Sequence, residues 1–281
     1  MNSQEEQDAD DLMTEDDGDI ALRPGPNADD PADVEKYISP QVLALYDVYS
    51  YRHAAAILAN SYPKELKEIE QTLLDFRITV REIAMPGGNE SDIPKKFSHI
   101  LRPAGWVETR IQSDLLVRTT EYSQELQKNG KIKKITLPEG KPRLIENFID
   151  GHKIDYVKGR VAFDLEWNSK DQTIDRDLYA LRAFHECGLI STGVLVTRSA
   201  SLNHVFETVR QLSDEGEPEY HKKGKKKGQP LSVKAKYGAS TTWMGKLLYR
   251  LNAGRHGGCP VLVFGITPKL LSDWDEKSPI I

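Results

Sequence analysis

The run at residues 154–168, Ile-Asp-Tyr-Val-Lys-Gly-Arg-Val-Ala-Phe-Asp-Leu-Glu-Trp-Asn, constrains this chain more than any other segment. Its alternation implies a strand, a turn at Gly159 and a returning strand. Side chains two apart on a strand leave the same face. Ala162, Asp164 and Glu166 therefore share one face, and Val161, Phe163, Leu165 and Trp167 share the other. The apolar face can enter a core while the acidic face looks into a cleft. Two carboxylates on one face repel, and a strand with its back buried gives them little room to part. A hard divalent cation such as Mg²⁺ relieves that repulsion, since it takes oxygen ligands from one or two carboxylates and from phosphates. Asp155, on the preceding strand, can supply another ligand. An edge strand with its acids facing water satisfies the same pattern.

The segments that follow set the fold class. Residues 173–187 carry Ile174, Leu178, Leu181 and Phe184 on one side of an amphipathic helix, and 189–197 is a continuous apolar strand of the kind buried in a sheet. A helix is expected over 200–213, a polar loop over 214–236, a helix over 240–251, and a last buried strand over 261–266 after Gly257-Gly258-Cys259-Pro260. Upstream, helical spacing covers 40–60 and 63–76, loop signals cover 85–96, a weak strand covers 111–119, and a short polar helix covers 121–129. A turn is expected over 137–142. This order predicts an α/β protein with a mixed central sheet flanked by helices.

Charge divides the chain of 281 residues unevenly. Residues 1–35 hold thirteen Asp or Glu against Arg23, a net of −12, so the overall −5 conceals +7 on residues 36–281. The leader, punctuated by Pro24, Pro26 and Pro31, is expected to be a disordered acidic tail. The rest is expected to form one domain, 36–281, with a basic loop inserted at about 214–236. A basic body suits a polyanionic partner. No apolar run is long enough for a membrane span, and the N-terminus lacks the basic and apolar regions of a signal peptide. Cys187 and Cys259, far apart and outside metal-ligand spacing, point away from a zinc cluster or a disulfide framework. These features predict a soluble protein of the reducing cytoplasm that does not engage a membrane.

The stretch from Asp155 to Trp167, then Arg176-Asp177-Leu178, then Tyr249-Arg250-Leu251-Asn252 and Pro260 to Pro268, resembles type II restriction endonucleases of the BglII/BstYI family. Val48-Tyr49-Ser50 and the stretch from Glu65 to Leu74 are similar to that family's N-terminal helix. The likeness is colinear from about residue 48 to 268 and leaves out the acidic leader. It implies the PD-(D/E)XK restriction-endonuclease-like fold, an acid followed by a second acid, one residue and usually Lys. By position, Asp155 and Asp164 are the acids, and Glu166 stands where Lys is usual. The resemblance implies a Mg²⁺-dependent, sequence-specific double-strand DNA endonuclease that hydrolyses phosphodiester bonds at a short palindrome. Asp155, Asp164 and Glu166 would be its catalytic and metal-binding residues, with one or two ions. It implies a homodimer, since palindromes match two-fold symmetry, with 173–187 and 200–213 as candidate dimer surfaces. It also implies a cognate DNA methyltransferase acting on the same site without necessarily binding this chain. A second register pairs Asp155 with Glu166 and Asn168, at the cost of two extra hairpin residues. Rival functions are a modification-sensing or nicking nuclease of this fold and a non-catalytic DNA-binding protein. Three acids aimed at phosphate argue against the last.

Two segments are candidates for reading DNA. Asn168, Ser169, Lys170 and Asp171 join the acidic strand to the next helix. Asn can bond adenine, Lys guanine, and Asp can accept from cytosine. In the resembling family this loop enters the major groove. Asp171 or Thr173 could equally serve to cap the helix. Lys222, Lys223, Lys225, Lys226 and Lys227, extended by Lys234 and Lys236, form a basic loop suited to phosphate contacts or simply to solvent. Glu146 reads as an accessory ligand or a solvated loop acid, and His185 as packed or solvated.

Overall fold

The structure is a computed structural model that describes residues 24–86, 92–224, 226–237 and 241–275. The elements in chain order begin with helix α1 Pro31–Tyr37, α2 Pro40–Leu45, strand β1 Tyr46–Tyr51, α3 Ala54–Ser61, α4 Pro63–Asp75, α5 Val80–Ala84 and α6 Asp92–Leu101. Strands β2 Val107–Val117, β3 Tyr122–Leu126, β4 Ile132–Thr136, β5 Arg143–Lys158 and β6 Val161–Glu166 follow. Helix α7 Gln172–Glu186, β7 Thr192–Arg198, α8 Leu202–Thr208, α9 Met244–Asn252 and β8 Val261–Ile266 complete the order. The main sheet runs β1-β8-β7-β6-β5-β2, with β3 and β4 in a separate hairpin. Strands β6, β7 and β8 are parallel, while β1 runs antiparallel to β8 and β5 antiparallel to β6. This is the mixed α/β sheet flanked by helices that the pattern predicts. By packing, the chain forms two compact units, Arg110–Lys153 and the remainder. Among the described residues no helix is long and apolar enough to cross a membrane.

The strand alternation is honoured on both faces. Phe163, Val194, Val196, Leu262 and Phe264 join one buried cluster with the apolar sides of α3 to α6 and α8. Phe163 sits at its centre, 5.7 Å from the Phe97 ring, 5.8 Å from Tyr156 and 6.4 Å from Trp106. The opposite face is covered by α7 and α9. Both lie so close that glycine is required below them. A Cβ at Gly193 would stand 2.6 Å from Leu181, and one at Gly265 would stand 2.7 Å from Met244. The acids of β6 belong to this second face.

Several local expectations are corrected. Residues 40–60 are two helices split by β1, because the Tyr-Asp-Val-Tyr-Ser-Tyr run pairs with β8, from Tyr46 opposite Ile266 to Tyr51 opposite Val261. Aromatic-rich sequence on a sheet edge outweighs its helical spacing. The loop expected over 85–96 gives way at Asp92 to α6, whose Pro94 falls in the first turn, where a missing N–H costs little. Residues 87–91 lie outside the described residues. The helix expected at 121–129 is the β3–β4 hairpin. The helix expected at 200–213 stops at Thr208, and Leu212 instead donates its N–H to Ala84 at 3.0 Å.

The tail read as 1–35 is also shorter than expected, since residues 24–37 pack on the body. Gly25 N–H donates to Asn252 Oδ1 at 2.8 Å, and Asp29 N–H to Ser50 O at 2.8 Å. The Asp29 carboxylate accepts from Ser50 Oγ (2.5 Å) and from the His53 N–H (2.8 Å). That braces a turn in which Arg52 and His53 both adopt positive φ, at 56° and 60°. Non-glycine residues resist that conformation unless their surroundings hold it. Residues 1–23 lie outside the described residues.

Candidate active site and nucleic-acid cleft

The hairpin sets the geometry. Gly159 turns it at φ +56°, and β5 pairs with β6 as Tyr156 opposite Phe163, Val157 opposite Ala162 and Lys158 opposite Val161. One further step brings Asp155 opposite Asp164. Residues directly across an antiparallel pair share a face with neighbouring Cβ atoms. Glu166 follows two residues on, and Thr197 of β7 lies beside it in the parallel register.

Burial separates the three acids. Asp155 is exposed, whereas Asp164 and Glu166 are only 6% and 8% exposed. Burial, and then the charges of Asp177, Asp155 and Glu166, push the Asp164 carboxyl well above the ordinary range, against one hydrogen bond from the Leu165 N–H at 2.9 Å. Glu166 Oε2 accepts from Thr173 Oγ1 at 2.9 Å, and its Oε1 lies 3.7 Å from Arg176 Nη2.

A fourth acid joins them. Asp177, on α7, is 4% exposed, and burial followed by the charge of Glu166 pushes its carboxyl up to about 8. Its Oδ1 accepts from Arg176 Nε and Nη2, both at 3.0 Å, and its Oδ2 is buried with no hydrogen-bond partner. Sequence reasoning passed over Asp177 as a site residue, yet a signal was there. It occupies the core stripe of its helix, in the series 174, 177, 178, 181, where an acid is out of place without a purpose.

Asp155 and Glu166 open onto a cleft of about 880 Å³ whose walls include Asn168, Ser169 and Arg176. Arg81, Arg102 and Lys236 also line it, together with the acids Glu82, Asp92 and Glu108, so the cleft wall mixes both signs of charge. The first two were not expected from sequence, because single arginines, one on α5 and one in the turn after α6, carry no local pattern. Asn168 is half-buried, with Oδ1 enclosed and without a hydrogen-bond partner. Lys170 is exposed, and Asp171 accepts from Lys246 Nζ at 3.2 Å. Asp171 is the N-terminal boundary of α7 but makes no side-chain cap, while Thr173 spends its hydroxyl on Glu166 and on Lys170 O.

The lysines divide. Lys222, Lys223, Lys226 and Lys227 are exposed and do not line the cleft, and Lys225 lies outside the described residues. Lys234 pairs with Glu207 at 2.8 Å. Lys236 reaches the cleft wall, but its ammonium donates to Met85 O at 2.5 Å, and burial lowers its pKa to about 8. That fastens the segment to the chain leaving α5. Glu146 is exposed in the Arg110–Lys153 unit, and His185 is half-buried on α7.

As the side chains stand, among the described residues no group of three or more His, Cys, Asp or Glu is gathered closely enough to hold a metal ion. The donor set nevertheless has the chemistry of a hard-cation site. It offers oxygen ligands alone, packed so that neighbouring charge helps to raise Asp164 and Asp177, with one buried carboxylate oxygen left unbonded.

The mixed sheet thus presents its acids at the edge of an open polar cleft. A family model described as restriction endonuclease BglII/BglIII matches residues 46–266. The chain belongs to that family, and with it to the PD-(D/E)XK nuclease superfamily. No curated protein matches the chain.

Proposed function

We propose that this chain is a sequence-specific, Mg²⁺-dependent double-strand DNA endonuclease, acting as a homodimer at a short palindrome, with residues from 24 onward, rather than from 36, serving as the endonuclease body. The observation that carries this reading is the pairing of β5 with β6, whose register puts Asp155 one step beyond Tyr156 and across from Asp164, close enough for their charges to interact, with Glu166 next on the same face and a cleft lined in part by arginines beside them. That pairing supports the ungapped register over one that uses Asn168 as a ligand.

Asp155 and Asp164 would hold Mg²⁺, with Glu166 as a further ligand or as the group that orients water. When bound, the ion lowers the pKa of its water and neutralises charge on phosphate. The chain's own residues do the rest. Arg176 steadies Glu166 and Asp177 and stands at the cleft wall, where, with Arg81 and Arg102, it can face phosphates. Asn168 and Ser169 line the same cleft, so their polar side chains are candidates for reading base edges. The exposed lysines at 222–227 would add affinity without sequence information.

The test is cleavage of a mixture of unmethylated and methylated plasmids in Mg²⁺. Wild type should produce discrete double-strand fragments. Asp155→Ala, Asp164→Ala and Glu166→Ala should each abolish cutting while DNA binding persists. Full activity in Asp164→Ala would overturn the assignment. Cutting of methylated DNA alone, or nicks alone, would replace it with a modification-sensing or a nicking nuclease.

A further inference from the structure

Arg198, at the end of β7, is the largest charged side chain in the interior, 1% exposed. Among the described residues no carboxylate forms an ion pair with it. Its guanidinium donates instead to Thr242 O, at 3.0 Å from Nε and 2.7 Å from Nη2, and to Thr241 Oγ1 at 2.6 Å. The plane lies 5.1 Å from the ring centres of both Phe206 and Tyr237. Those two rings stack at 4.4 Å. Burying an unpaired cation is expensive, so the hydrogen bonds it makes must hold something the chain needs held.

What it holds is the segment that grips the loop after β6. Thr242 N–H donates to Ser169 O at 2.9 Å, and Lys170 forms an antiparallel bridge with Thr241. On the other side of the same pillar, Trp167 Nε1 donates to Tyr237 Oη at 3.2 Å, one residue before Asn168. The loop is thus tied at its start through Trp167 and at its middle through Thr241 and Thr242, and Arg198 touches both ties.

We infer that Arg198 is a positioning residue for DNA recognition: by fixing Thr241 and Thr242 it sets the backbone at 168–170, so that Asn168 and Ser169 meet base edges in one conformation. This rests on the nuclease reading above. A fork with planar, directed donors suits the task, and a lysine would supply only a point charge. Without the tie the loop would still reach DNA, but its polar groups could settle on more than one base. The consequence falls on discrimination rather than on the chemical step, because Arg198 does not line the cleft.

The experiment uses full-length wild type, Arg198→Met and Arg198→Lys with Mg²⁺ and a pool of duplexes carrying a randomised segment, the cut ends being sequenced. Amide exchange at Thr242 is followed in the absence of DNA. Arg198→Met should cut the preferred site at a rate near wild type, yet lose about tenfold in discrimination against single-base neighbours, the lower end of what one good base contact is worth. Its Thr242 amide should exchange faster, and Arg198→Lys should fall between. A folded Arg198→Met with unchanged discrimination overturns the inference, as does a lost rate with discrimination intact. Should Arg198→Met fail to fold, Tyr237→Phe removes only the hydroxyl that Trp167 uses, and it must also relax discrimination or the inference falls. A wild type that cuts no duplex overturns the nuclease reading itself, and this inference with it.

Discussion

Replacing Asp177 by asparagine should make the folded chain more stable at neutral pH. Asp177 is buried beside Glu166, and its carboxyl is raised to about 8 from an ordinary 3.8. The folded protein therefore holds a proton that the unfolded chain has released. Between the ordinary carboxylate range and about 8, stability falls as pH rises, because protons bound in the folded state must be retained against rising pH. Each unit of difference is worth about 1.4 kcal/mol. At pH 7 the ceiling on this penalty is about 4 kcal/mol, three units' worth. Asparagine removes the penalty and keeps an acceptor for Arg176, and because Asp177 is already mostly neutral in the folded chain below about 8, little charge attraction to the largely exposed Arg176 is lost with it. The net gain should be about 1–3 kcal/mol, which for a chain of this size raises Tm by roughly 2–4 °C per kcal/mol. Thermal unfolding followed by circular dichroism from pH 5 to pH 9 measures it. Wild type should lose stability toward pH 8, and Asp177→Asn should lie above it with a flatter profile. A wild-type Tm that is level across this window, with a variant no more stable, would refute the claim that the buried acids of β6 and α7 are held together against their own repulsion.

Ca²⁺ should support specific DNA binding but little cleavage, because its longer bonds and looser geometry misplace the attacking water; equal rates in Ca²⁺ and Mg²⁺ would contradict the site. Deleting residues 1–23, which hold nine acids and Arg23, should raise affinity for a site-free duplex at low salt, with the gain shrinking as salt rises; identical salt titrations would leave that stretch as a solubilising leader only. Deleting residues 1–35 should in addition lower Tm, because it removes the Asp29 brace on Ser50 and His53; an unchanged Tm would show the brace to be idle. Replacing the five lysines within 222–227 by glutamine should weaken binding to every sequence alike and flatten its salt dependence; altered sequence preference would instead make that loop a reader of bases.

The part of the fold most legible in the sequence is the part where burial on one face dictates period two. Phe163 and Trp167 enter the core while Asp164 and Glu166 turn the other way, as alternation along β6 requires. Continuous apolar runs also announce β7 and β8, which lie inside the sheet and are buried throughout. The misreadings fall where a distant partner decides the local state. Tyr46 to Tyr51 form a strand because β8 lies beside them, and Tyr122 to Leu126 form a strand because of β4. Neither partner is visible within a local window. The cleft shows the same limit. Asp155 and Asp164 are legible because a nine-residue hairpin step separates them, whereas Arg81 comes to the cleft from α5 and Arg102 from the turn after α6.

The acids cost the fold something wherever they are placed, and their placement indicates where that cost is repaid. Asp155 remains in water, so it loses little. Asp164 on β6 and Asp177 on α7 are both buried, where burial and neighbouring charge oppose ionisation, and Arg176 neutralises only part of the cluster. An apolar residue at position 177 would continue the stripe of Ile174, Leu178 and Leu181 without this penalty. Stability alone would favour that exchange, since well-packed apolar groups commonly match or exceed a buried charged cluster. The retained carboxylates make sense if the charge is offset by a ligand during work rather than by the protein at rest. A hard cation and the phosphate it accompanies supply such an offset. The same physics that marks the site as strained in isolation therefore points to what it binds.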